Sequence, residues 1–496
     1  MTRIDSQQGE RTYDVVVIGA GPVGENVADR VVAGGLNAVV VEHELVGGEC
    51  SYWACVPSKA LLRPGAALRA ARAVGGSREA VTAGVDARAT LARRTEFTSD
   101  WDDSAQVDWL RGAGIDLVRG TARLSGPRRV SVRTTQGPVA LEARLAVVVC
   151  TGSRAIVPGI PGLAEARPWT SREATSARAV PGSLIVLGGG VVGCESACAY
   201  ADLGADVTVI EADRLLGTLE PVAAEHVRSA LAARGVRFHT GATATRVTRD
   251  DAAAPDARVT VELSGGERVT GAEILVATGR GPRTDGLGLA VVGLTDGAWL
   301  AVDETLRVTG PDGAGIDWLY AAGDVNGRRL LTHQGKYQAR IAAGAIMARA
   351  ARADSGGHGA RLDDSPWGAH AATADQRAAT AVVFTDPQVA SVGLTEADCR
   401  EQGVRTRVVD VDLGAVAGAA LMADGYRGAA RMVVDADRQV ILGLTFMGQD
   451  VAELAQAGAI AIAGEVPIAR LWHAVPAFPT VSEVWLRLLE AYRDGS

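Results

Sequence analysis

Cysteine is scarce in this 496-residue chain, which has six in all. So few thiols cannot form the disulfide framework of a secreted domain, and a reducing compartment is expected. Long apolar runs are also missing, because glycine or a charged residue interrupts each one well below the roughly 18–20 residues that a membrane span needs. The opening MTRIDSQQGERT lacks the apolar stretch of a secretory signal, so we expect a cytoplasmic protein without a membrane partner.

Positive charge is in the minority, with 50 Lys and Arg against 58 Asp and Glu and a net charge of −8. Because no basic run stands out, nucleic acid is not expected as a partner. Lysine is nearly absent: only Lys59 and Lys336 accompany 48 arginines. The 47% hydrophobic and 22% charged content is that of an ordinary globular protein. The length predicts about three domains.

The same pattern occurs twice along the chain: a β-branched run, a glycine-rich turn, a helical stretch and a second apolar run. The glycines let a backbone approach a pyrophosphate, and the helix N-terminus favours its negative charge. An acid about 20 residues later suits the ribose hydroxyls. The two copies predict two dinucleotide-binding domains and consist of Gly19, Gly21, Gly24 and Glu42, and of Gly188, Gly190, Gly193 and Glu211.

Glu211 also bears on the choice of nicotinamide nucleotide. A carboxylate there accepts a hydrogen bond from a free 2′-hydroxyl and repels a 2′-phosphate. NADH is therefore predicted over NADPH, and Arg214 leaves NADPH as the alternative.

The third feature is the segment GGECSYWACVPSKALLRP, in which Cys50 and Cys55 precede Pro57 at the predicted start of a helix. Proline fits a first helical turn, and the partial positive charge of a helix N-terminus favours a thiolate. The alternative is a pair of buried structural cysteines, the usual fate of free cysteine. The flanking glycines and the two nucleotide-binding units favour a reversible disulfide.

The remaining segments complete the predicted organisation. Residues 60–110 are predicted to be helical, and residues 117–149 to be antiparallel strands. Strands and two helices, at 450–464 and 481–492, follow a polar stretch near residue 360 and form an α+β unit. The predicted domains are 1–157 and 286–350 for the first nucleotide, 158–285 for the second, 351–377 as a linker or insertion, and 378–496 for the α+β unit.

Taken together, the motifs resemble those of the pyridine nucleotide–disulfide oxidoreductase family, the group of dihydrolipoamide dehydrogenase, glutathione reductase and mercuric reductase. They occur in family order along nearly the whole chain: GAGPVG, GGECSYWACVPSK, CTGS, GGGVVGCE, ATGRGPRTDGLGL, YAAGDVNG and FTDPQVASVGLTE. The resemblance implies an α/β fold with two Rossmann-like domains, for FAD and NAD(P), and a C-terminal α+β dimerisation domain. It also implies a homodimer.

By position, the resemblance implies sites for both cofactors. Those for FAD are Gly19, Gly21, Gly24, Glu42, Gly48, Lys59, Thr151, Gly152, Asp324 and Thr332. Those for NAD(H) are Gly188, Gly190, Gly193, Glu195, Glu211, Gly279 and Arg280. Cys55 corresponds to the thiol beside the flavin, and Cys50 to the thiol that meets the substrate.

Lys59 is supported by composition as well as by resemblance. Arginine fills almost every basic position, yet a lysine follows the cysteine pair. The family pairs this lysine with a glutamate, here Glu195, near the flavin. A compact ammonium and a planar guanidinium are not interchangeable in a narrow pocket. Lys336 is equally unusual, and the sequence assigns it no role.

The C-terminal segment HAVPAFPTVSE departs from the family pattern. Disulfide reductases of this family place a histidine before Pro479 and Thr480, whereas this chain has Phe478 there, with Glu483 retained. A phenyl ring cannot transfer a proton, and a positioned acid–base contributes roughly 10²–10⁴ in rate. His473 is a candidate replacement, although such a histidine is more often a surface or packing residue. The C-terminal cysteine pair of mercuric reductase is missing from this segment.

These features predict an FAD enzyme in which NADH reduces the flavin and Cys50–Cys55 passes electrons to a disulfide or other thiol-reactive small molecule. No metal site is predicted. Three alternatives stay open: a quinone reductase acting at the flavin, a dihydrolipoamide dehydrogenase with an atypical acid–base, and a non-catalytic flavin redox sensor. The intact cysteine pair favours the first function, and Phe478 favours the quinone reductase.

Overall fold

The computed structural model describes residues 11–251, 257–355 and 361–495. Within these ranges, every helix is too short or too polar to cross a membrane. The helices are α1 Pro22–Ala33, α2 Gly48–Tyr52, α3 Cys55–Arg72, α4 Ala87–Phe97, α5 Ser104–Gly112, α6 Ser171–Ser176, α7 Val191–Asp202, α8 Pro221–Ala232, α9 Thr332–Asp354, α10 Ala374–Arg377, α11 Glu396–Glu401, α12 Ala417–Met422, α13 Leu454–Ala463, α14 Ile468–Leu471 and α15 Val484–Asp494.

The strands of the described residues are β1 Arg11–Ile18, β2 Ala38–Glu42, β3 Asp116–Arg119, β4 Thr121–Gly126, β5 Arg129–Thr134, β6 Gly137–Val149, β7 Ser153–Ala155, β8 Ser183–Leu187, β9 Asp206–Glu211, β10 Arg237–Thr240, β11 Ala244–Arg249, β12 Val259–Leu263, β13 Arg268–Gly271, β14 Glu273–Val276, β15 Arg280–Pro282, β16 Arg307–Thr309, β17 Gly315–Ala321, β18 Thr380–Val383, β19 Gln388–Gly393, β20 Thr406–Asp412, β21 Ala429–Asp435 and β22 Ile441–Gly448.

The chain forms two compact units. Unit 1 is formed from the described residues of 1–55, 98–154 and 280–375, and unit 2 from those of 56–97, 155–279 and 376–496. In unit 1 a mixed sheet has the order β16-β17-β6-β1-β2-β3. Strands β17, β6, β1, β2 and β3 run parallel to one another, whereas β16 pairs antiparallel with β17, and β5 pairs antiparallel with β6 and with β4.

The consecutive apolar residues of β1 point alternately to the two faces of the sheet, and both faces are covered. Val15 and Val17 pack with α1 and α9 on one face, whereas Val16 and Ile18 pack with β4 and β5 on the other. Successive side chains of a strand point to opposite faces, so an unbroken apolar run requires cover on both sides. The carboxyl end of β1 enters the first glycine motif, which places that motif at one edge of the sheet.

Unit 2 contains three sheets. A parallel sheet has the order β10-β9-β8-β14, and an antiparallel sheet contains β11, β12 and β13. The C-terminal sheet has the order β18-β19-β22-β21-β20 and is antiparallel throughout. Strand β8 enters the second glycine motif, which continues into α7, as the sequence predicts.

The predicted fold class is confirmed: a mixed sheet with five parallel strands and a wholly parallel sheet, each entering a glycine motif, are accompanied by a C-terminal α+β region. Helices α3, α4 and α5 lie in the region 60–110, as predicted. The prediction of antiparallel strands over 117–149 is incomplete, because the second half of β6 pairs in parallel with β1 and β17. In the predicted linker 351–377, residues 356–360 lie outside the described residues, and Ala372 and Asp375 are buried. The predicted domain boundaries stay predictions.

Candidate active site

The first glycine motif has space for glycine alone at several positions. Gly19 has φ of +103°, and a Cβ there would collide with the carbonyl oxygen of Cys150. A Cβ on Gly24 would collide with the carbonyl oxygen of Gly19, and one on Gly48 would lie 2.7 Å from Cα of Gly21. The turn from β1 into α1 is therefore in close backbone contact with the start of α2. Such a cradle of bare backbone fits a pyrophosphate.

Glu42 ends β2 beside this turn. Its carboxylate accepts hydrogen bonds from the backbone N–H of Ala20 at 2.7 Å and of Glu44 at 2.8 Å, and Nδ1 of His43 lies 3.1 Å away. Burial alone would raise the pKa of Glu42, but these hydrogen bonds together hold it below its usual value. The strand end thus carries an ionised carboxylate, a group that could accept hydrogen bonds from ribose hydroxyls.

The second glycine motif reproduces this geometry in unit 2. Gly188 has φ of +102°, and a Cβ there would collide with the carbonyl oxygen of Ala277, as one on Gly193 would with that of Gly188. A Cβ on Gly190 would meet no atom within 4 Å. Glu211 accepts a hydrogen bond from the N–H of Gly189 at 2.5 Å. The turn could hold a second dinucleotide, with open space at Gly190.

Asp324 is the buried end of a polar network in unit 1. Burial raises the pKa of its carboxyl group, although a hydrogen bond from Oγ of Ser153 at 2.5 Å acts in the opposite direction. Arg280 donates to Oγ of Ser153 at 2.7 Å and to Glu49 at 2.7 Å, and Arg283 donates to the other oxygen of Glu49 at 2.9 Å. Arg280 thus lies with residues predicted to bind FAD, and its predicted NAD contact stays a prediction.

Three other predicted binding residues lie in loops. Oγ1 of Thr151 is buried and has no hydrogen-bond partner among the described residues. Such an atom fits a site where a bound cofactor supplies the missing partner. Gly152 and Gly279 both have positive φ, of +72° and +146°, and a Cβ on either would meet no atom within 4 Å.

The two cysteines of the predicted disulfide are hydrogen-bonded to each other in unit 1. Cys50 lies in α2, and Cys55 is the first residue of α3, where the helix N-terminus favours a thiolate. The hydrogen bond to Cys55, burial and the charge of Cys55 all raise the pKa of Cys50. The environment of the pair therefore disfavours the ionised form of Cys50. Sγ of Cys55 lies 3.3 Å from Oγ1 of Thr332, at the start of α9.

Lys59 is fixed one turn into α3. Its Nζ lies 2.7 Å from Oε2 of Glu195 on α7, and both residues belong to unit 2. The other carboxylate oxygen of Glu195 accepts the backbone N–H of Phe384 at 2.9 Å, and Nζ of Lys59 lies 4.9 Å from the centre of the Phe384 ring. The predicted Lys–Glu pair is thus formed, and Phe384 is a third member that the sequence did not predict.

The family model described as pyridine nucleotide-disulphide oxidoreductase matches residues 13–345, and the model of that family's dimerisation domain matches residues 379–488. The chain belongs to this family. It is accordingly an FAD-dependent pyridine nucleotide–disulfide oxidoreductase, as the sequence motifs predict. The family uses FAD and NAD(P)H.

Individual relatives cover nearly the whole chain. A dihydrolipoyl dehydrogenase of Haloferax volcanii is 31% identical, with 96% of this chain and 95% of that protein covered. A mercuric reductase of Bacillus cereus is 28% identical, with 96% of this chain and 71% of that protein covered. The crystal structure of LpdA from Mycobacterium tuberculosis has a TM-score of 0.78 at 25% identity, covering 97% of this chain and 99% of that one.

The dimerisation domain of this oxidoreductase carries the departure at position 478. Phe478 is 76% exposed, and His473 is exposed on the same segment. Glu483 is buried, and its Oε2 has no hydrogen-bond partner among the described residues. The carboxylate is retained without an imidazole at position 478 to bind it.

The site also contains groups that the sequence did not single out. Glu49 and Arg283 belong to the Asp324 network, and Glu25 on α1 has a buried Oε1 without a hydrogen-bond partner in the described part of the chain. Long-range packing brings these groups to the site, so no local motif reveals them. Lys336 could be found by its rarity alone.

Proposed function

We propose that this oxidoreductase is a homodimer that passes electrons from NADH through FAD to Cys50–Cys55, and from there to a disulfide or another thiol-reactive small molecule. The observation that carries the proposal is the cysteine pair itself. Cys50 and Cys55 are hydrogen-bonded, and Cys55 combines a helix N-terminus with a contact to Thr332. Two buried structural cysteines would not need this combination.

The residues of unit 1 fit FAD. The bare backbone at Gly21 and Gly48 would hold the pyrophosphate, Glu42 the adenosine ribose, and Asp324 the ribityl chain. The complete set is Gly19, Gly21, Gly24, Glu42, Gly48, Thr151, Gly152, Asp324 and Thr332, with Lys59 next to the flavin. When bound, FAD accepts a hydride from the reduced nicotinamide and delivers two electrons to the disulfide.

In unit 2, the second glycine motif would hold the nicotinamide nucleotide. Its open space at Gly190 and the carboxylate of Glu211 support NADH, because a 2′-phosphate would be repelled by that carboxylate. Arg214 does not neutralise Glu211 among the described contacts, since its guanidinium donates to the carbonyl oxygens of Gly217 and Leu219. The proposed set is Gly188, Gly190, Gly193, Glu195, Glu211, Gly279 and Arg280.

The two sulfurs have different proposed roles. Cys55 is the sulfur proposed to lie next to the flavin, because it begins α3 and contacts Thr332, whereas the environment of Cys50 disfavours a thiolate there. Cys50 is the sulfur that attacks the acceptor and forms the mixed disulfide. The attack requires Cys50 to lose its proton, and Phe478 offers no base for that step.

An anaerobic titration with NADH tests the proposal. We expect uptake of about two hydride equivalents per subunit, one for FAD and one for the disulfide, and the long-wavelength absorption band of a thiolate next to a flavin. Cys55→Ser should abolish the band and reduce uptake to about one equivalent. Cys399→Ser, which changes a buried cysteine outside the pair, is the matched control and should leave both values unchanged. Uptake of one equivalent by the unchanged protein would contradict the proposal.

Phe478 favours a second candidate function, in which a quinone is reduced at the flavin without a thiol acid–base. The two functions differ in their dependence on Cys50. Cys50→Ser should abolish turnover of disulfide acceptors in the first case and leave quinone turnover unchanged in the second. A parallel screen of lipoamide, small-molecule disulfides and quinones with both variants assigns the acceptor class.

A further inference from the structure

Lys336 lies one helical turn after Thr332 on α9. Residues four apart on a helix share a face, so Lys336 lies on the side of α9 that contacts Cys55 through Thr332. It is one of two lysines in a chain with 50 basic residues, and its side chain is partly exposed. No ion pair of Lys336 occurs within the described ranges of the chain.

The charge of Lys336 acts on the cysteine pair. The hydrogen bond to Cys55, burial and the charge of Cys55 raise the pKa of Cys50, whereas the hydrogen bond to Thr332 and the Lys336 ammonium act in the opposite direction. Both opposing groups come from the first turns of α9. This helix therefore favours the ionised form of the sulfur that has to attack the acceptor.

A buried carboxyl group on α1 lies close enough to Lys336 to interact with its charge. Gly335, the residue before Lys336, packs so closely on α1 that a Cβ there would lie 2.5 Å from Cγ2 of Val23. Glu25 lies in the first turn of α1, and its Oε1 is buried without a hydrogen-bond partner among the residues described. The two helices thus bring a fixed positive charge and a poorly solvated carboxyl group together.

Glu25 titrates in the neutral pH range. Burial raises its pKa to about 7, the Lys336 charge lowers it, and Glu42 at the end of β2 raises it further. Its charge also raises the pKa of Tyr52 on α2. Below pH 7 the carboxyl group is neutral and leaves the Lys336 charge uncompensated, whereas above pH 7 the carboxylate offsets part of it.

We propose that Lys336 activates Cys50 electrostatically, in place of the proton acceptor that Phe478 cannot provide, and that ionised Glu25 weakens this effect. The inference rests on the proposed role of Cys50 as the attacking thiol. The S–H bond of Cys50 breaks, its proton passes to solvent, and the electron pair stays on sulfur as the thiolate. Lys336 forms no bond and supplies only positive charge. It is a positioning residue that acts through Cys50.

The ionisation of Cys50 can be measured without turnover. The holoenzyme is reduced anaerobically, freed of reductant and treated with iodoacetamide between pH 5.5 and 9.5. The peptide 31–59, released by cleavage after Arg30 and Lys59, contains both cysteines, and fragmentation assigns the label to Cys50. At pH values below the pKa of Cys50, Lys336→Met should lower its alkylation rate roughly threefold to tenfold, because a rise of one pKa unit lowers the thiolate fraction tenfold. Lys336→Arg retains the charge and should stay within about twofold of the unchanged protein.

Glu25→Gln separates the two pH ranges. At pH 6 Glu25 is already neutral, so the variant should match the unchanged protein. At pH 8 the substitution removes a carboxylate that offsets Lys336, and we expect alkylation of Cys50 to be roughly twofold to threefold faster. In the double variant with Lys336→Met, loss of the Lys336 charge raises the pKa of Glu25, so less of it is ionised at pH 8 and the effect of Glu25→Gln should become smaller.

Equal alkylation rates for Lys336→Met and Lys336→Arg would overturn the inference, because the effect would then not depend on charge. A Glu25→Gln effect of the same size at pH 6 and pH 8 would overturn the role of Glu25. Failure of the proposed function would be seen in a separate experiment, as uptake of only one hydride equivalent per subunit in the NADH titration. The alkylation profile reports the ionisation of Cys50 in either case.

Discussion

Position 478 is where this oxidoreductase departs from the family pattern by a single side chain. Phe478 is exposed on the dimerisation domain, and Glu483 stays buried with one carboxylate oxygen without a partner among the described residues. A buried carboxylate without its partner costs free energy that a neighbouring N–H donor would recover. We propose that Glu483 is the carboxylate half of the family's acid–base pair, kept without its histidine.

Restoring the other half should restore part of the activity. We expect Phe478→His to raise turnover of dihydrolipoamide at least tenfold, because an imidazole that is oriented by a carboxylate can accept the thiol proton. Steady-state assays with NAD⁺ check this, and Phe478→Leu is the control for loss of the ring. The double change with Glu483→Gln should lose most of the gain. An unchanged rate in Phe478→His would argue against a site shaped for dithiols.

Glu195 has a structural role as well as a proposed catalytic one. Its two carboxylate oxygens bind Nζ of Lys59 and the N–H of Phe384. Glu195→Ala leaves that N–H without its acceptor, and we expect the free energy of unfolding to fall by about 1–3 kcal/mol. Glu195→Gln keeps an amide oxygen for Phe384 and should lose less than about 1 kcal/mol. Denaturant titration of the holoenzyme measures both, and equal losses would contradict this role of the Phe384 contact.

At the scale of elements, the second glycine motif separates folding from binding. A Cβ on Gly193 would collide with the backbone of Gly188, whereas one on Gly190 would enter open space. We expect Gly193→Ala to yield little folded protein. Gly190→Ala should keep the thermal midpoint of the unchanged protein. It should raise KM for NADH at least tenfold, which corresponds to about 1.4 kcal/mol of binding free energy, because the added methyl group would occupy the space proposed for the pyrophosphate. Normal NADH binding by Gly190→Ala would place the nucleotide elsewhere.

Elements with a strong local signal could be predicted from the sequence. The runs before Gly19 and Gly188, and the acids Glu42 and Glu211, fix strand, turn, helix and strand within one short stretch each. Strand β6 could not be predicted in the same way. Residues 137–142 pair with the neighbouring β5, whereas β1 pairs from residue 141 onward and β17 with residues 147–149, and these two partners are distant in sequence. The burial of Glu25 could not be predicted either, because in the sequence it is an ordinary acidic residue in the first turn of a helix.

At the scale of the whole molecule, the dimerisation domain predicts a pair of chains. Val475 in this domain is 84% exposed, an unusual position for a large apolar side chain. Sedimentation should give about twice the 51.1 kDa of one chain. Val475→Asp should raise the dimer dissociation constant at least tenfold, because a buried carboxylate opposes association. Val291→Asp, at a 40% exposed valine outside that domain, is the control and should remain dimeric.

The fold class could be predicted because two nucleotide-binding motifs occur in one chain and a resemblance extends along its length. The residue ranges that make up the two compact units could not be predicted in the same way. Unit 1 takes residues from three separate stretches, and unit 2 from three others. No local composition marks the points at which the chain leaves one unit and enters the other. Those points depend on which distant segments complete each core.

Strand β6 has a consequence for how firmly the loop after it is held. Val147, Val148 and Val149 have strands on both sides and are fully shielded from water, whereas residues 137–140 of β6 pair with β5 alone. Backbone amides at the shielded end should exchange with deuterated water among the slowest in the protein, and those near Gly137 much faster. The Cys150–Gly152 loop thus emerges from the most rigid part of its sheet. Any group that this loop holds in place would therefore be anchored by the best-paired stretch of β6.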